Sequence, residues 1–167
     1  MKTLVLSGGS ALALLLGAPV VLAGQPAATA ATCTKKLSAA GKCSLTVARY
    51  DDDLTAFKLS VSQRGKTKTA KVALVSTIKC LGGADPDGSL GDGQLTGGGT
   101  VNGKGRFSGL FTGQTDSGVA ISGTLHGTIT KKKATLTGTV TGSRTDPDHP
   151  PDLQCTGKVD AEGQRAS

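Results

Sequence analysis

The amino-acid sequence predicts an all-β protein: a single antiparallel meander of about seven to nine strands that forms a small barrel or sandwich. Two patterns predict this class. Beyond Cys33, apolar and polar residues alternate along most of the chain, and no stretch sustains the three-and-four apolar spacing of an amphipathic helix. Short connections, most of them containing glycine, separate the alternating runs. Four cysteines indicate that the domain is stabilised by disulfides.

Five stretches show the alternation most clearly, each with one apolar face. These faces are Phe57, Leu59 and Val61; Val72, Leu74, Ser76 and Ile78, leading to Cys80; Phe107, Gly109 and Phe111; Val119, Ile121, Gly123, Leu125, Gly127 and Ile129; and Leu136, Gly138 and Val140. Asn102-Gly103 is a strong hairpin signal between two of these runs. Short links between sequential strands predict an antiparallel meander.

Glycine takes several positions where the alternation calls for a core residue. These positions are Gly109, Gly123, Gly138 and Gly142. In a small closed sheet, interior glycines allow sharp coiling and make room for large side chains such as Phe107 and Phe111. The alternative interpretation is that they leave an empty pocket.

The first residues have the features of a secretory signal peptide. Lys2 supplies the positive charge, Ala11–Leu16 the apolar run, and Val21-Leu22-Ala23 the small residues before a cleavage site. Gly17 and Pro19 interrupt the apolar run, which is shorter than the roughly 20 residues of a membrane-spanning helix. We therefore expect export to the cell envelope or the extracellular space, with no transmembrane segment after cleavage.

The expected organisation is a signal peptide at residues 1–23, a disordered lead at 24–32, an all-β domain at 33–160 and a loose polar tail at 161–167. Cleavage after Ala23 leaves 144 of the 167 residues, which suffices for one domain with a core. A cut after Ala30 is the alternative.

The four cysteines are expected to form disulfides, because an exported chain meets an oxidising environment. Four cysteines allow three pairings. We favour Cys33 with Cys43, closing a short hairpin-like loop at residues 34–42, and Cys80 with Cys155, tying an early strand to the last one. In the chain-entropy model these bridges contribute about 3 and about 4–5 kcal/mol, respectively.

The net charge of +7 falls to +6 when the signal peptide, with Lys2, is removed. This excess favours an anionic envelope component as a partner. Binding of nucleic acid is not expected, since it needs aromatic side chains among basic ones, and the chain has one tyrosine, three phenylalanines and no tryptophan. A solvated basic surface is the simpler interpretation.

Several motifs together resemble a loosely defined, uncharacterised group of exported bacterial all-β domains. The motifs run from Val101 to Gly109 (VNGKGRFSG), from Ile121 to Gly127 (ISGTLHG), from Ala134 to Thr139 (ATLTGT), and over Cys155-Thr156-Gly157. The group pattern is a basic hairpin, a mid-chain Cys, a Gly-x-Phe strand, a Gly-Thr-rich hairpin and a closing Cys-x-Gly. The resemblance covers about residues 57–159. It supports the Cys80–Cys155 pairing and implies no activity.

No catalytic, cofactor-binding or metal-binding residues are assigned, and we do not expect an enzyme. His126 alternates with threonines on a polar strand face, and His149 lies in a proline-rich loop. Two acidic motifs, Asp85-Pro86-Asp87 and Asp146-Pro147-Asp148, would approach each other if Cys80 pairs with Cys155, and their oxygens suit calcium. Ordinary turn chemistry explains each Asp, Pro and Gly without a cation, and the spacing does not match an EF-hand, so we expect turns and not a metal site.

A threonine ladder invites a further hypothesis, ice binding. Its members are Thr124, Thr128, Thr130, Thr135, Thr137, Thr139 and Thr141. Threonine is also an ordinary outward-facing residue of an antiparallel strand, and a twisted sheet would not keep the array flat.

The sequence therefore predicts an exported, non-enzymatic β-domain that acts as a binding or structural module. The alternative is a small-molecule carrier that holds an apolar ligand in a β-barrel interior, and a third hypothesis is a hydrolase or an inhibitor without a recognisable sequence signature. Interior volume discriminates between the first two. A sealed core favours the module, and an open-mouthed cavity of several hundred cubic ångströms favours the carrier.

The signal-peptide features make a direct prediction. When the gene is expressed in an exporting host, we expect the mature protein outside the cytoplasm with its N-terminus at Gly24, because peptidases cut after small residues such as Ala23. N-terminal sequencing of the recovered protein checks this. A soluble cytoplasmic protein that retains Met1 would contradict it.

Overall fold

One short helix and eight β-strands follow each other in a computed structural model that describes residues 32–82, 85–145 and 152–167, and at residues 85–87 the backbone alone. The elements are α1 Lys35–Ala39, β1 Leu45–Asp52, β2 Phe57–Arg64, β3 Thr67–Gly82, β4 Asp85–Val101, β5 Arg106–Thr115, β6 Ala120–Ile129, β7 Lys133–Arg144 and β8 Leu153–Arg165.

The eight strands form one antiparallel sheet that closes into a ring. Each strand pairs with the next along the chain, and β1 returns to β8 through Tyr50 opposite Arg165 and Asp51 opposite Gln164. Short connections explain this order, because a strand that follows a short turn lies beside the preceding strand and pairs with it. The prediction of a disulfide-stabilised, antiparallel all-β meander is confirmed.

The two ends of the ring contain different numbers of strands. β3 pairs with β2 over Thr67–Ala73 and then, further along the same edge, with β8 over Lys79–Leu81. Six strands therefore close the ring where β3 meets β8. At the other end the hairpin of β1 and β2 is inserted between them, and eight strands surround the axis. We call this second end the wide end.

All eight strands contribute buried side chains to one continuous core. Its largest fully buried members are Phe57, Ile78, Leu95, Phe111, Val119, Leu125, Leu136, Val140 and Val159. The five apolar faces expected from the alternation supply most of the core. Alternating residues of a strand point to opposite faces, so each predicted set reaches the ring interior.

The interior glycines allow close packing against neighbouring strands and side chains. A Cβ atom on Gly127 would lie 2.1 Å from Cε1 of Phe107, and one on Gly97 would lie 2.6 Å from Cγ of Phe111. At the four glycines singled out in the sequence, a Cβ atom would lie 1.7–2.6 Å from a neighbouring backbone oxygen or leucine side chain: Gly109, Gly123, Gly138 and Gly142. The packing interpretation is therefore correct at these positions.

The longest strand, β4, is absent from the sequence-based expectations. Six of its 17 residues are glycine, and of its inward positions between Gly93 and Val101 only Leu95 and Val101 carry an apolar side chain. The alternation that reveals other strands is thus hidden. What makes the segment a strand is its long pairing with β3, which runs from Lys68 opposite Val101 to Gly82 opposite Asp85.

The expected loose tail at residues 161–167 is wrong for most of its length. β8 continues to Arg165, Ala161 and Gly163 are buried, and the backbone N–H of Ala166 donates to the carbonyl of Arg49 at 3.0 Å. The side chains that face inward here are small, so the segment looks polar in the sequence although it closes the ring against β1.

The short disulfide joins Cys33 to Cys43 as expected, but the segment inside it is not hairpin-like. It contains helix α1, because the Thr34 hydroxyl caps the helix by accepting from the N–H of Leu37 at 3.3 Å. The helix packs on the turn between β2 and β3. There the Ser38 hydroxyl donates to the carbonyl of Gln63, and the Ser38 carbonyl accepts from the N–H of Gly65 at 2.6 Å.

The long disulfide joins Cys80 of β3 to Cys155 of β8, which lie directly opposite each other with Cα atoms 4.0 Å apart. The bridge therefore sits at the six-stranded end, where β3 and β8 close the ring. Two disulfides are typical of an oxidising, extracellular-type environment. Among the described elements, no helix has the length and hydrophobicity needed to cross a membrane.

We expect the Cys80–Cys155 bridge to contribute more stability than the Cys33–Cys43 bridge. It spans 75 residues against 10, so it removes more freedom from the unfolded chain, by about 4–5 against about 3 kcal/mol. Urea unfolding of C80S/C155S and of C33S/C43S measures both losses. A larger loss from the short bridge would contradict the prediction.

The Gly127–Phe107 contact predicts a compensating pair of substitutions. Gly127→Ala should destabilise the protein by about 1–3 kcal/mol, because the new methyl group overlaps the Phe107 ring. In a Phe107→Leu background the same substitution should cost at least about 1 kcal/mol less. Urea unfolding of the four members of this double-mutant cycle tests the contact, and equal costs in both backgrounds would refute it.

Candidate functional site

The wide end of the ring carries the candidate site. Three turns lie there, residues 65–66 between β2 and β3, 102–105 between β4 and β5, and 130–132 between β6 and β7. The C-terminal end of β8 reaches the same end because β8 pairs with β1 there. Together these segments surround an open recess of about 750 Å³, which we call the mouth.

The mouth is lined by fifteen of the described residues, from six strands and all three turns. They are Val47, Ala48, Tyr50, Val61, Lys66, Lys68, Val101, Asn102, Gly103, Lys104, Gly105, Ile129, Thr130, Lys131 and Arg165. The set divides into an apolar floor and a cationic rim.

The floor consists of side chains that lie between the core and the recess at the wide end. Tyr50 and Val61 are buried, and Val47, Ala48, Val101 and Ile129 are partly buried against the core. A register shift between Thr46 and Ala48 adds one residue to β1, which brings both Val47 and Ala48 to the recess. The Tyr50 hydroxyl donates to the Thr130 carbonyl at 2.7 Å, so the aromatic ring is held across the floor.

The rim consists of five exposed cationic side chains: Lys66, Lys68, Lys104, Lys131 and Arg165. Lys68 precedes the buried Ala70 by two residues, and Arg165 follows the buried Gly163 by two residues. Both therefore occupy inward positions of their strands, and their aliphatic stems extend the apolar wall. The described residues that line the mouth include no Asp or Glu. Within the described residues the one ion pair joins Lys133 to Glu162, and none of the five rim cations takes part in it.

Hydrogen bonds between neighbouring elements hold the rim in place. The Asn102 side-chain oxygen accepts from the N–H groups of Lys104 and Arg106 at 2.9 and 3.0 Å, which shapes the turn that presents Lys104. The Gly105 carbonyl accepts from the N–H of Ile129 at 2.8 Å, and the N–H of Arg165 donates to the carbonyl of Lys132 at 2.7 Å. The cations are therefore carried on turns that are tied to each other.

The charge of the connections alternates along the chain, and this alternation produces the cationic rim. We number the seven connections between successive strands in chain order, starting with the one between β1 and β2. The even-numbered connections all contain lysine and contain no Asp or Glu: Gly65-Lys66, Asn102–Gly105 and Thr130–Lys132. The odd-numbered ones contain or adjoin aspartates: Asp51, Asp52, Asp53, Asp85, Asp87, Asp116, Asp146, Asp148 and Asp152. In an antiparallel meander every second connection lies at the same end, so the lysines gather at the wide end.

Sequence reasoning missed the mouth although its signal was present. The excess of positive charge by itself is explained by a solvated basic surface, because one lysine-containing turn alone does not indicate a site. The alternation of charge between successive connections is the observation that would have located it, once an antiparallel meander was assumed. The apolar floor carried no such signal, since Tyr50 and Ala48 belong to a segment with little alternation.

A second recess, of about 730 Å³, lies where β3 and β8 diverge and the turn between β1 and β2 is inserted. Its lining includes Asp92 and Asp160 as well as Lys158, with the exposed Leu54 at its edge. Charges of both signs give this recess no preference for an anion or a cation. The mouth carries only positive side-chain charge among its described lining residues, around an apolar floor. It therefore favours anions over cations, which the second recess does not.

The residues considered for chemistry in the sequence are not brought together by the described structure. His126 is exposed on the outer face of β6. The Asp52 carboxylate accepts from the N–H of Leu54 at 2.9 Å and thus shapes a turn. Asp85 begins β4, with a side chain outside the description, and residues 146–149 lie outside the described ranges. Where side chains are described, no group of three potential metal ligands occurs.

The threonine ladder faces outward, as expected for strand threonines. Thr128 of β6 lies opposite Thr135 of β7, and Thr137 and Thr139 of β7 are exposed. These strands belong to a sheet that curves into a ring, which is a poor match for a flat lattice.

Comparison of the chain with family models, with curated proteins and with solved structures found no match. The interpretation of the mouth therefore depends on its own geometry and charge. An apolar floor inside a ring of cations suits a partner that is both anionic and apolar.

Proposed function

We propose that this protein is an exported, non-enzymatic binding module whose mouth docks on an anionic lipid surface of the cell envelope. The observation that carries the proposal is the one-sided charge of the wide end, where five exposed cations surround apolar side chains. Export is supported by the signal-peptide features of residues 1–23 and by the two disulfides. The resemblance of residues 57–159 to exported bacterial domains points the same way.

Electrostatic attraction would orient the protein before contact. Cations at the wide end and aspartates in the connections that face the other way give the molecule a charge asymmetry along the ring axis. An anionic membrane surface attracts each nearby Lys or Arg with about 1 kcal/mol. The five rim cations together suffice for reversible binding with the mouth facing the lipid.

The apolar floor favours a lipid over a purely polar polyanion. A polysaccharide or a nucleic acid would satisfy the rim lysines but would leave the partly buried Val47, Val101 and Ile129 without further apolar partners. Nucleic acid also stacks on exposed aromatic side chains, whereas Tyr50 is 2 % exposed and directed into the fold. A lipid supplies an anionic headgroup and an apolar chain together.

The packed interior weighs against a carrier with its ligand inside the ring. Phe107 fills the space at Gly127, Phe111 fills the space at Gly97, and the core residues form one continuous cluster. An apolar ligand of ordinary size would have to displace this core. The mouth offers open space instead, at the surface of the core.

Vesicle binding tests the proposal. The purified exported protein should sediment with vesicles of phosphatidylglycerol and phosphatidylcholine, and much less with phosphatidylcholine alone. Lys104→Gln combined with Lys131→Gln should weaken binding about 30-fold, because each lysine contributes about 1 kcal/mol. High salt should weaken binding of the unmodified protein as well, since exposed charges are screened.

The matched control is Lys79→Gln combined with Lys158→Gln, which makes the same change in net charge at exposed lysines outside the mouth. It should bind nearly as the unmodified protein does. Equal losses in the two double variants would contradict docking through the mouth. Binding to dextran sulfate but not to the anionic vesicles would contradict a lipid partner and indicate a polyanionic one.

A further inference from the structure

We infer that the mouth takes up the apolar chain of one amphipathic anion, with the anionic group held among the rim cations. This inference rests on the proposed function and names the molecule that the mouth recognises: a monoacyl carboxylate, or a lipid with an equivalent chain and headgroup. The recess of about 750 Å³ lies within the range of roughly 300–1,000 Å³ typical of small-molecule sites.

The floor is suited to an alkyl chain. Val47, Ala48, Val101 and Ile129 are only partly buried although they adjoin the core, so they present apolar surface to the recess. The one polar atom of the Tyr50 side chain is already paired with the Thr130 carbonyl, so the buried ring supports the floor without presenting an unsatisfied donor to a chain. Burial of a chain here would remove apolar surface from water on both sides.

The rim is suited to a single anionic group at the end of that chain. Lys68 and Arg165 sit on inward strand positions, and Lys66, Lys104 and Lys131 sit on the surrounding turns. A carboxylate or phosphate at the opening would thus meet cations on several sides. Among the described lining residues there is no carboxylate side chain to compete with it.

Tyr50 provides a reporter of the site itself. It is the one tyrosine of the chain, there is no tryptophan, and its ring forms part of the floor. Tyrosine emission therefore responds to the floor of the mouth and to no other aromatic group of comparable emission. The inference is testable with unlabelled protein.

The experiment titrates the exported protein with hexanoate, octanoate and decanoate, each below its micelle concentration, while Tyr50 fluorescence is followed. Affinity should rise about fourfold for each added methylene that is buried, or about 15-fold for each two-carbon step. Decylamine, which has the same chain length as decanoate but a positive charge at neutral pH, should bind much more weakly.

Ala48→Leu fills part of the recess and should weaken decanoate binding while vesicle binding through the rim lysines remains. Ala73→Leu is the matched control, because Ala73 is exposed on the outer face of β3 and lies outside the mouth. It should leave both kinds of binding unchanged. Thermal melting of both variants verifies that they fold. If Ala48→Leu does not fold, the chain-length series in the unmodified protein still tests the inference.

Three outcomes would overturn the inference: no change in Tyr50 emission at millimolar decanoate, equal affinity for the three carboxylates, or equal affinity for decanoate and decylamine. Vesicle binding that persists alongside any of these would leave the proposed docking on anionic lipid intact. Loss of vesicle binding with a retained decanoate response would contradict docking on a membrane instead.

Discussion

The direct pairing of β3 with β8 is the constraint on which the rest of the architecture depends. The three residue pairs around Cys80 and Cys155 close the ring with six strands at one end. Towards the wide end β3 and β8 diverge, and the shorter hairpin of β1 and β2 occupies the space between these two strands. That insertion enlarges the wide end and brings Tyr50 and Ala48 across it. A mouth with an apolar floor is therefore a consequence of how the opposite end closes.

Glycine makes such a narrow closure possible in a chain with few aromatic residues. The oxygen of Gly98 would lie 1.7 Å from a Cβ atom on Gly109, a distance that no other residue tolerates. The strands thus come close together, and the three phenylalanines, Phe57, Phe107 and Phe111, fill space that larger cores fill with many side chains. Stability is consequently shared between burial and the long disulfide, whereas the short disulfide holds helix α1 against the turn that carries Lys66.

Electrostatics and topology act together to separate charge in this molecule. Lysine-containing and aspartate-containing connections alternate along the chain, and an antiparallel meander sends successive connections to opposite ends. Neither feature produces an asymmetric molecule without the other. The cations then surround a part of the core surface that the strands leave open at the wide end, and this coincidence is what points to an amphipathic anion.

The sequence by itself determined the fold class and the inward faces of five strands, because alternation has a fixed meaning in a strand and hairpins join neighbours. It favoured the two disulfide pairings among three possible sets, and the structure confirmed them. It did not reveal β4, whose inward positions are mostly glycine, nor the end of β8, whose inward residues are as small as Ala161 and Gly163, nor the helix inside the short disulfide. The mouth was decided by tertiary structure. Lys68 and Arg165 are about a hundred residues apart in the sequence, and only the closure of β1 on β8 brings them to the rim of one recess.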